Sequence, residues 1–254
     1  MRNYFQFNIS GKEDLLSDSS MKLGIVGSRL ITPYTKFVLE ELFDELRNYD
    51  FCIVSGGMYG VDLYAHNLAL KNNLKTIIVL AEGIESYKSS SLYNQLRFSN
   101  NPNYLFLSEY ESYFKARKYT FLQRNKVIVN LSSCLLLAQA SLNSGSMSTA
   151  NFALKSNKKI YSVPFALNES KFQGSNWLID CGSKIYLNPN SILESFSIFS
   201  DSMEKSIKNC IKYNPSNFVN LKNLIGCSDS LLNKELLKLI LKGDIFYDGE
   251  FYYL

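Results

Sequence analysis

Six short runs of apolar and β-branched residues, at 23–26, 51–54, 76–80, 105–107, 134–138 and 160–163, alternate with helical patterns. Runs that are apolar throughout, rather than every second residue, suit strands buried on both faces, as in a parallel sheet covered by helices. Between the first two runs, Phe37, Val38, Leu42 and Leu46 form an apolar stripe, and Glu40, Glu41, Asp44 and Glu45 fill the opposite face. That is the pattern of an amphipathic helix. Residues 62–70 and 148–154 are further helix candidates. The alternation predicts an α/β chain built on a doubly wound, mostly parallel sheet.

The pattern changes after Asn188-Pro189. From Asp201 the chain reads helix, helix, then two strands at 244–247 and 251–254 around an Asp248-Gly249 two-residue turn. Helices followed by a hairpin predict a small winged-helix-like domain over 201–254, preceded by a main domain over 21–200 and an N-terminal arm over 1–20. Lys234, Lys238 and Lys242 lie four apart on the last helix. With Glu204, Asp229, Glu235, Asp244, Asp248 and Glu250 close by in sequence, the stripe reads as a solvated face rather than a DNA-facing one.

Composition narrows the chemistry. The apolar runs fall well short of the roughly 20 residues that cross a bilayer, and residues 1–20 lack the charged-then-apolar layout of a secretory signal. A cytoplasmic protein is expected. Cys52, Cys134, Cys181, Cys210 and Cys227 are widely spaced with no CxxC pair, so they read as mostly buried thiols in a reducing compartment. His66 is the only histidine. A Ser-His-Asp triad or a His/Cys zinc site has little to draw on, and no catalytic residue, metal or cofactor is assigned. His66 itself reads as structural.

The formal net charge of +4 conceals an asymmetry. Between Ser112 and Asn168 there is no Asp or Glu, against eight basic residues: Lys115, Arg117, Lys118, Arg124, Lys126, Lys155, Lys158 and Lys159. The window carries +8 and the remainder therefore −4. Such a one-signed stretch attracts a polyanion, although a solvated basic surface would look the same.

Four segments carry candidate chemistry. Gly27-Ser28-Arg29 ends the first strand at a turn, with Pro33 suited to the first turn of the following helix. Ser55-Gly56-Gly57 through Gly60 ends the second, where missing Cβ atoms would let a phosphate approach the backbone. It matches neither a P-loop nor the usual dinucleotide spacing. Residues 113–126 interleave aromatics with bases, including Lys118, Phe121, Arg124 and Asn125. Cations that track a backbone and faces on which bases stack are the components of single-strand binding. Within this segment Leu122, Val127 and Ile128 read as core positions, and Phe121 as either platform or core. Finally Ser144-Gly145-Ser146 precedes a helix whose free N–H groups could grip a phosphate.

In this order these segments resemble the DNA processing protein A (DprA/Smf) family. Ala65-His66, Ser108-Glu109-Tyr110, Thr149-Ala150, Val163-Pro164, Gly174-Ser175-Asn176 and Gly182-Ser183 extend the likeness over about residues 21–190. The resemblance implies an extended Rossmann-like fold, single-stranded DNA binding, a homodimer, and loading of the RecA recombinase onto incoming DNA during natural transformation. Carried over, it makes Arg29, Ser55, Gly56, Lys118, Phe121, Arg124 and Asn125 the DNA contacts. Ser28, Gly57, Ser144, Gly145 and Ser146 join them on the chemistry above. The arm is too short for the helical domain many members carry, Lys126 stands where arginine is frequent, and Phe165 replaces a common glycine.

Two other readings compete. An enzyme of the LOG-like superfamily would hydrolyse nucleotides or nucleoside phosphates, but residues 144–150 contain no acid, and the nearest carboxylates in sequence are Glu111 and Glu169. A protein-binding adaptor would carry its basic charge incidentally.

Overall fold

The computed structural model describes residues 7–98, 101–196, 198–212, 214–225 and 229–254. Two compact units divide the chain, one ending at Ile192 and the other beginning at Leu193.

The first unit runs β1 (Asn8–Gly11), β2 (Met21–Gly27), α1 (Pro33–Leu46), β3 (Phe51–Gly56), α2 (Val61–Lys71), β4 (Lys75–Leu80), α3 (Ile84–Lys88) and β5 (Tyr104–Ser108). It continues with α4 (Lys118–Leu131), β6 (Cys134–Gln139), α5 (Gly145–Lys155), β7 (Lys159–Ser162), α6 (Gln173–Asp180) and β8 (Lys184–Ile185), and the unit boundary falls at the end of the short α7 (Asn190–Leu193). Its strands form one eight-stranded sheet in the order β1-β5-β4-β3-β2-β6-β7-β8. All pairs are parallel except β1 with β5. The doubly wound α/β architecture expected from the apolar runs is present, and all six runs lie in strands except for Val163, one residue past the end of β7.

Two edge strands carried no such signal. Residues 8–11, expected in an arm, pair with β5, and Leu15 just beyond them is fully buried. β8, only two residues long and exposed, closes the opposite edge.

Strand order reverses at β2: β3, β4 and β5 extend to one side of it, β6 and β7 to the other. Ligands of open α/β sheets sit outside the carboxyl ends of strands at such a point. On one face α4 and α5 pack over the sheet, with Val127, Ile128, Met147 and Ala150 buried against Val26, Val54 and Leu137. Val127 and Ile128 are thus core residues as expected. Leu122 is not: it is 46% exposed, because the α4 face that meets the sheet is carried by Arg124, Val127 and Ile128.

The second unit contains α8 (Ile198–Ile211), α9 (Phe218–Ile225), α10 (Asp229–Lys242), β9 (Phe246–Tyr247) and β10 (Tyr252–Tyr253). Its described residues form three helices where two were read. Ile207, Leu221, Leu232, Leu236, Leu239 and Ile245 form its core. The hairpin loop is four residues, not two. Asp248 Oδ1 accepts from the N–H groups of Glu250 and Phe251, at 2.9 and 2.8 Å, and Gly249 supplies a φ of +106°.

Cys227 lies outside the described residues. Of the others, Cys52 and Cys134 are buried, Cys210 is half-buried and Cys181 is exposed, and none forms a disulfide. Burial pushes the Cys52 thiol up to about 12. Among the described residues no helix is long and apolar enough to cross a membrane, and no cluster of His, Cys, Asp or Glu is placed to hold a metal.

Candidate nucleic-acid interface

A cleft of about 280 Å³ opens at the carboxyl ends of β2, β3 and β6, where the strand order reverses. Ser28, Arg29, Phe121, Arg124, Asn125, Ser144, Gly145 and Ser146 line it, together with Asp62, Met58 and Thr149. Eight of the candidate contacts therefore converge from three separate segments.

Hydrogen bonds stitch those segments together. Ser146 Oγ donates to the Gly27 carbonyl at 2.7 Å, tying the start of α5 to the end of β2. Asn125 Nδ2 donates to Ser148 Oγ at 3.1 Å and reaches the Gly145 carbonyl at 3.4 Å, tying α4 to α5. The Gln139 side chain accepts from the Thr32 N–H at 3.1 Å and donates to the Leu30 carbonyl at 2.9 Å, fixing the loop after β2. Asn125 and Ser146 therefore hold the cleft's shape with the groups they already engage.

The groups left for a ligand are cationic, aromatic and hydroxylic. Phe121 is half-buried at the cleft wall, with the Arg29 and Arg124 guanidinium carbons 5.8 and 5.9 Å from its ring centroid. It lines the cleft and is not among the buried core residues. Ser144 caps α5 without a side-chain capping bond, and its buried Oγ has no hydrogen-bond partner; nor does Arg124 Nε. Unsatisfied buried polar groups cost about 1–3 kcal/mol each, so a ligand supplying acceptors would be rewarded here. In the first turn of α5 the Met147 N–H donates to the Ser144 carbonyl at 3.1 Å, the helix N-terminus still favours an anion, and no acid occupies that turn.

Arg124 is only 6% exposed and pairs with Asp62, Nη1 to Oδ2 at 3.5 Å. Burial raises the Asp62 carboxyl above its ordinary range, against the pull of Arg124. Asp62 was not singled out from sequence as a site residue. Its position in the first turn of α2, directly after the glycine loop, was the available signal.

Four candidates lie elsewhere. Ser55 is fully buried and donates to the Ile25 carbonyl at 2.6 Å. Gly56 and Gly57 are buried too, but not to admit a phosphate: a Cβ on Gly56 would collide with the Arg124 guanidinium, and one on Gly57 with the Tyr87 ring. These residues support the site from behind. Lys118 is exposed at the start of α4, one turn before Phe121 and outside the cleft lining. The acid-free window is divided as well, since Lys155, Lys158 and Lys159 sit at the amino end of β7, the opposite strand end from the cleft. His66 is fully buried, its Nδ1 2.7 Å from Thr76 Oγ1, which donates to the Ile53 carbonyl.

The sequence model of the DNA recombination-mediator protein A family matches residues 6–197. This chain belongs to that family. DNA processing protein DprA of Bacillus subtilis (strain 168) is 34% identical over 185 residues, covering 72% of this chain and 61% of the relative. The Streptococcus pneumoniae (strain R6) protein of the same name is 29% identical over 175 residues, covering 69% and 61%. The match thus spans about 61% of these relatives' length. In structure, DNA processing protein A from Helicobacter pylori, characterised for its single-stranded DNA binding mode, superposes with a TM-score of 0.67 at 32% identity. That superposition covers 77% of this chain and 89% of the other. The Streptococcus pneumoniae structure gives 0.68 at 29% identity, covering 74% and 65%. Every residue of the cleft falls within the DNA recombination-mediator protein A match, whereas most of the second unit lies beyond it.

Proposed function

We propose that the cleft binds single-stranded DNA and that the chain acts as a binding protein rather than an enzyme. The observation that carries this is Phe121 at the wall of a cleft that Arg29, Arg124 and the start of α5 also line, with both guanidinium groups within 6 Å of its ring. Guanidinium groups and helix N–H groups take phosphates, and an accessible ring takes a base; duplex DNA buries the base faces that such a ring needs. Fluorescence anisotropy with a labelled oligonucleotide, single-stranded and duplex, at two salt concentrations tests it. Tighter binding of the single strand that weakens with salt is expected; equal affinity for both forms overturns it.

The hydrolase reading draws on Asp62, an acid the cleft does contain. Its carboxylate faces Arg124 and is largely shielded from the opening. Phosphate release from nucleoside monophosphates, abolished in Asp62→Asn, would favour that reading. On family membership we further propose a cytoplasmic homodimer that loads RecA onto DNA. Light scattering tests the dimer. Stimulation of RecA filament growth on strands coated with single-strand-binding protein tests the loading.

A further inference from the structure

A second pocket lies beyond the loop that follows β2. Thr32, Pro33 and Tyr34 form one wall and Pro164, Phe165 and Phe172 the other, enclosing about 540 Å³. Phe165 stacks on Phe172 with centroids 4.1 Å apart and planes 12° from parallel, and Tyr34 meets Phe165 edge-on at 5.4 Å.

Both walls are held in place by side-chain amides. The Phe165 N–H donates to Asn176 Oδ1 and Asn176 Nδ2 donates to the Phe165 carbonyl, each at 3.0 Å, clamping the peptide that carries the ring. Gln139 holds the opposite wall through Leu30 and Thr32. Aromatic groups fixed before binding lose little entropy when a ligand arrives.

The pocket shares a wall with the cleft. Ser28 and Arg29 face the cleft, Thr32 and Pro33 face the pocket, and Leu30 between them is 83% exposed. At most about 11 Å of backbone separates Arg29 from Thr32. The pocket's one acid, Glu169, is paired with Lys171 at 2.5 Å, and Lys171 Nζ stands 4.9 Å from the Phe172 centroid. Its surface is otherwise apolar and aromatic, which suits the flat face of a base whose phosphate is carried by charges outside.

We propose that this pocket is a second base-stacking subsite for the strand held in the cleft, with Phe165 as its platform and the strand crossing at Leu30. The proposal rests on the single-strand reading of the cleft.

The test uses the full chain and oligothymidylates of about 4 to 16 nucleotides, the span of single-strand sites. Phe165→Ala should weaken binding of the longer oligonucleotides roughly five- to hundredfold, the loss of one stacked base. The shortest, filling only the cleft, should bind as in wild type. Phe165→Leu, which keeps an apolar side chain without a π-face, should fold with the wild-type melting temperature and share the defect. A 2-aminopurine stepped along the strand should be quenched at one position in wild type and released in both variants. Unchanged affinity for every length overturns the subsite and leaves the cleft reading standing, as does equal loss at every length. If wild type itself shows no preference for single strands, both fall.

Discussion

The Arg124 guanidinium lies against Gly56, in the volume a Cβ would occupy, and reaches Asp62 from there. One glycine therefore places the deepest cation of the cleft. Gly56→Ala should push Arg124 outward, with an overpacking cost of about 1–3 kcal/mol. Thermal melting should register that cost, and single-strand affinity should fall in the fully folded variant. A variant that melts and binds like wild type would mean that this close approach does not position Arg124.

Phe121 and Lys118 offer separable contributions. For a single strand each neutralised phosphate contributes about 0.7 to the slope of log K against log salt. Lys118→Ala should flatten the plot by about that amount, with a defect that shrinks as salt rises. Phe121→Ala should cost about 1–3 kcal/mol at every salt concentration and leave the slope unchanged. Because Phe121 is half-exposed at the wall, its removal should barely change the melting temperature. A drop of several degrees, with affinity lost only in proportion to unfolded protein, would return Phe121 to the core.

Much of this was legible in sequence because burial on both faces leaves a strong mark. Residues 51–54 and 134–138 contain no strongly polar side chain, and both are central strands. The edge strands β1 and β8 are invisible for the converse reason: exposed residues such as Asn8 and Lys184 carry no apolar pattern. The cleft could be assembled because its parts follow strand ends, where an α/β sheet puts its sites. What sequence could not give was direction. Gly56 looks the same whether its missing Cβ makes room for a phosphate or, as here, for Arg124. Nor could linear order reveal that Lys155 and Lys158 lie at the opposite strand end from Arg29, or that Asp62 meets Arg124.

The cleft lies entirely in the unit that ends at Ile192. A fragment of residues 1–192 should therefore keep single-strand affinity to within about tenfold, or 1.4 kcal/mol. Anisotropy on the fragment, with circular dichroism to establish that it is folded, measures this. A larger loss would assign DNA contacts to the second unit.

His66 is the chain's only histidine, and its buried ring titrates against the buried carboxyl of Asp62 in the same pH range. Burial, reinforced by the nearby charge of Arg124, pushes its imidazole down from 6.5 to about 3. The folded chain thus keeps His66 neutral where the unfolded chain protonates it. With the folded value depressed, the stabilisation is fully present above pH 6.5 and is lost progressively as the pH falls towards 3. At one proton the loss approaches about 1.4 kcal/mol per pH unit. Asp62 acts in the opposite sense. Its folded value is raised, so its contribution is present below the ordinary aspartate value and is lost as the pH rises. Raised to about 6, it takes up its proton over the same interval and offsets most of the His66 loss between pH 6.5 and 5. Urea denaturation between pH 8 and 5 should therefore show only a shallow fall in wild type, because the two groups take up their protons in opposite states over the same interval. His66→Gln, which cannot titrate, should be less stable at pH 8 because of its altered packing, yet gain stability towards pH 5 as Asp62 takes up its proton unopposed. Parallel profiles for the two proteins would mean that His66 takes up its proton in the folded state as readily as in the unfolded one, and that the buried neutral ring is not what limits acid stability.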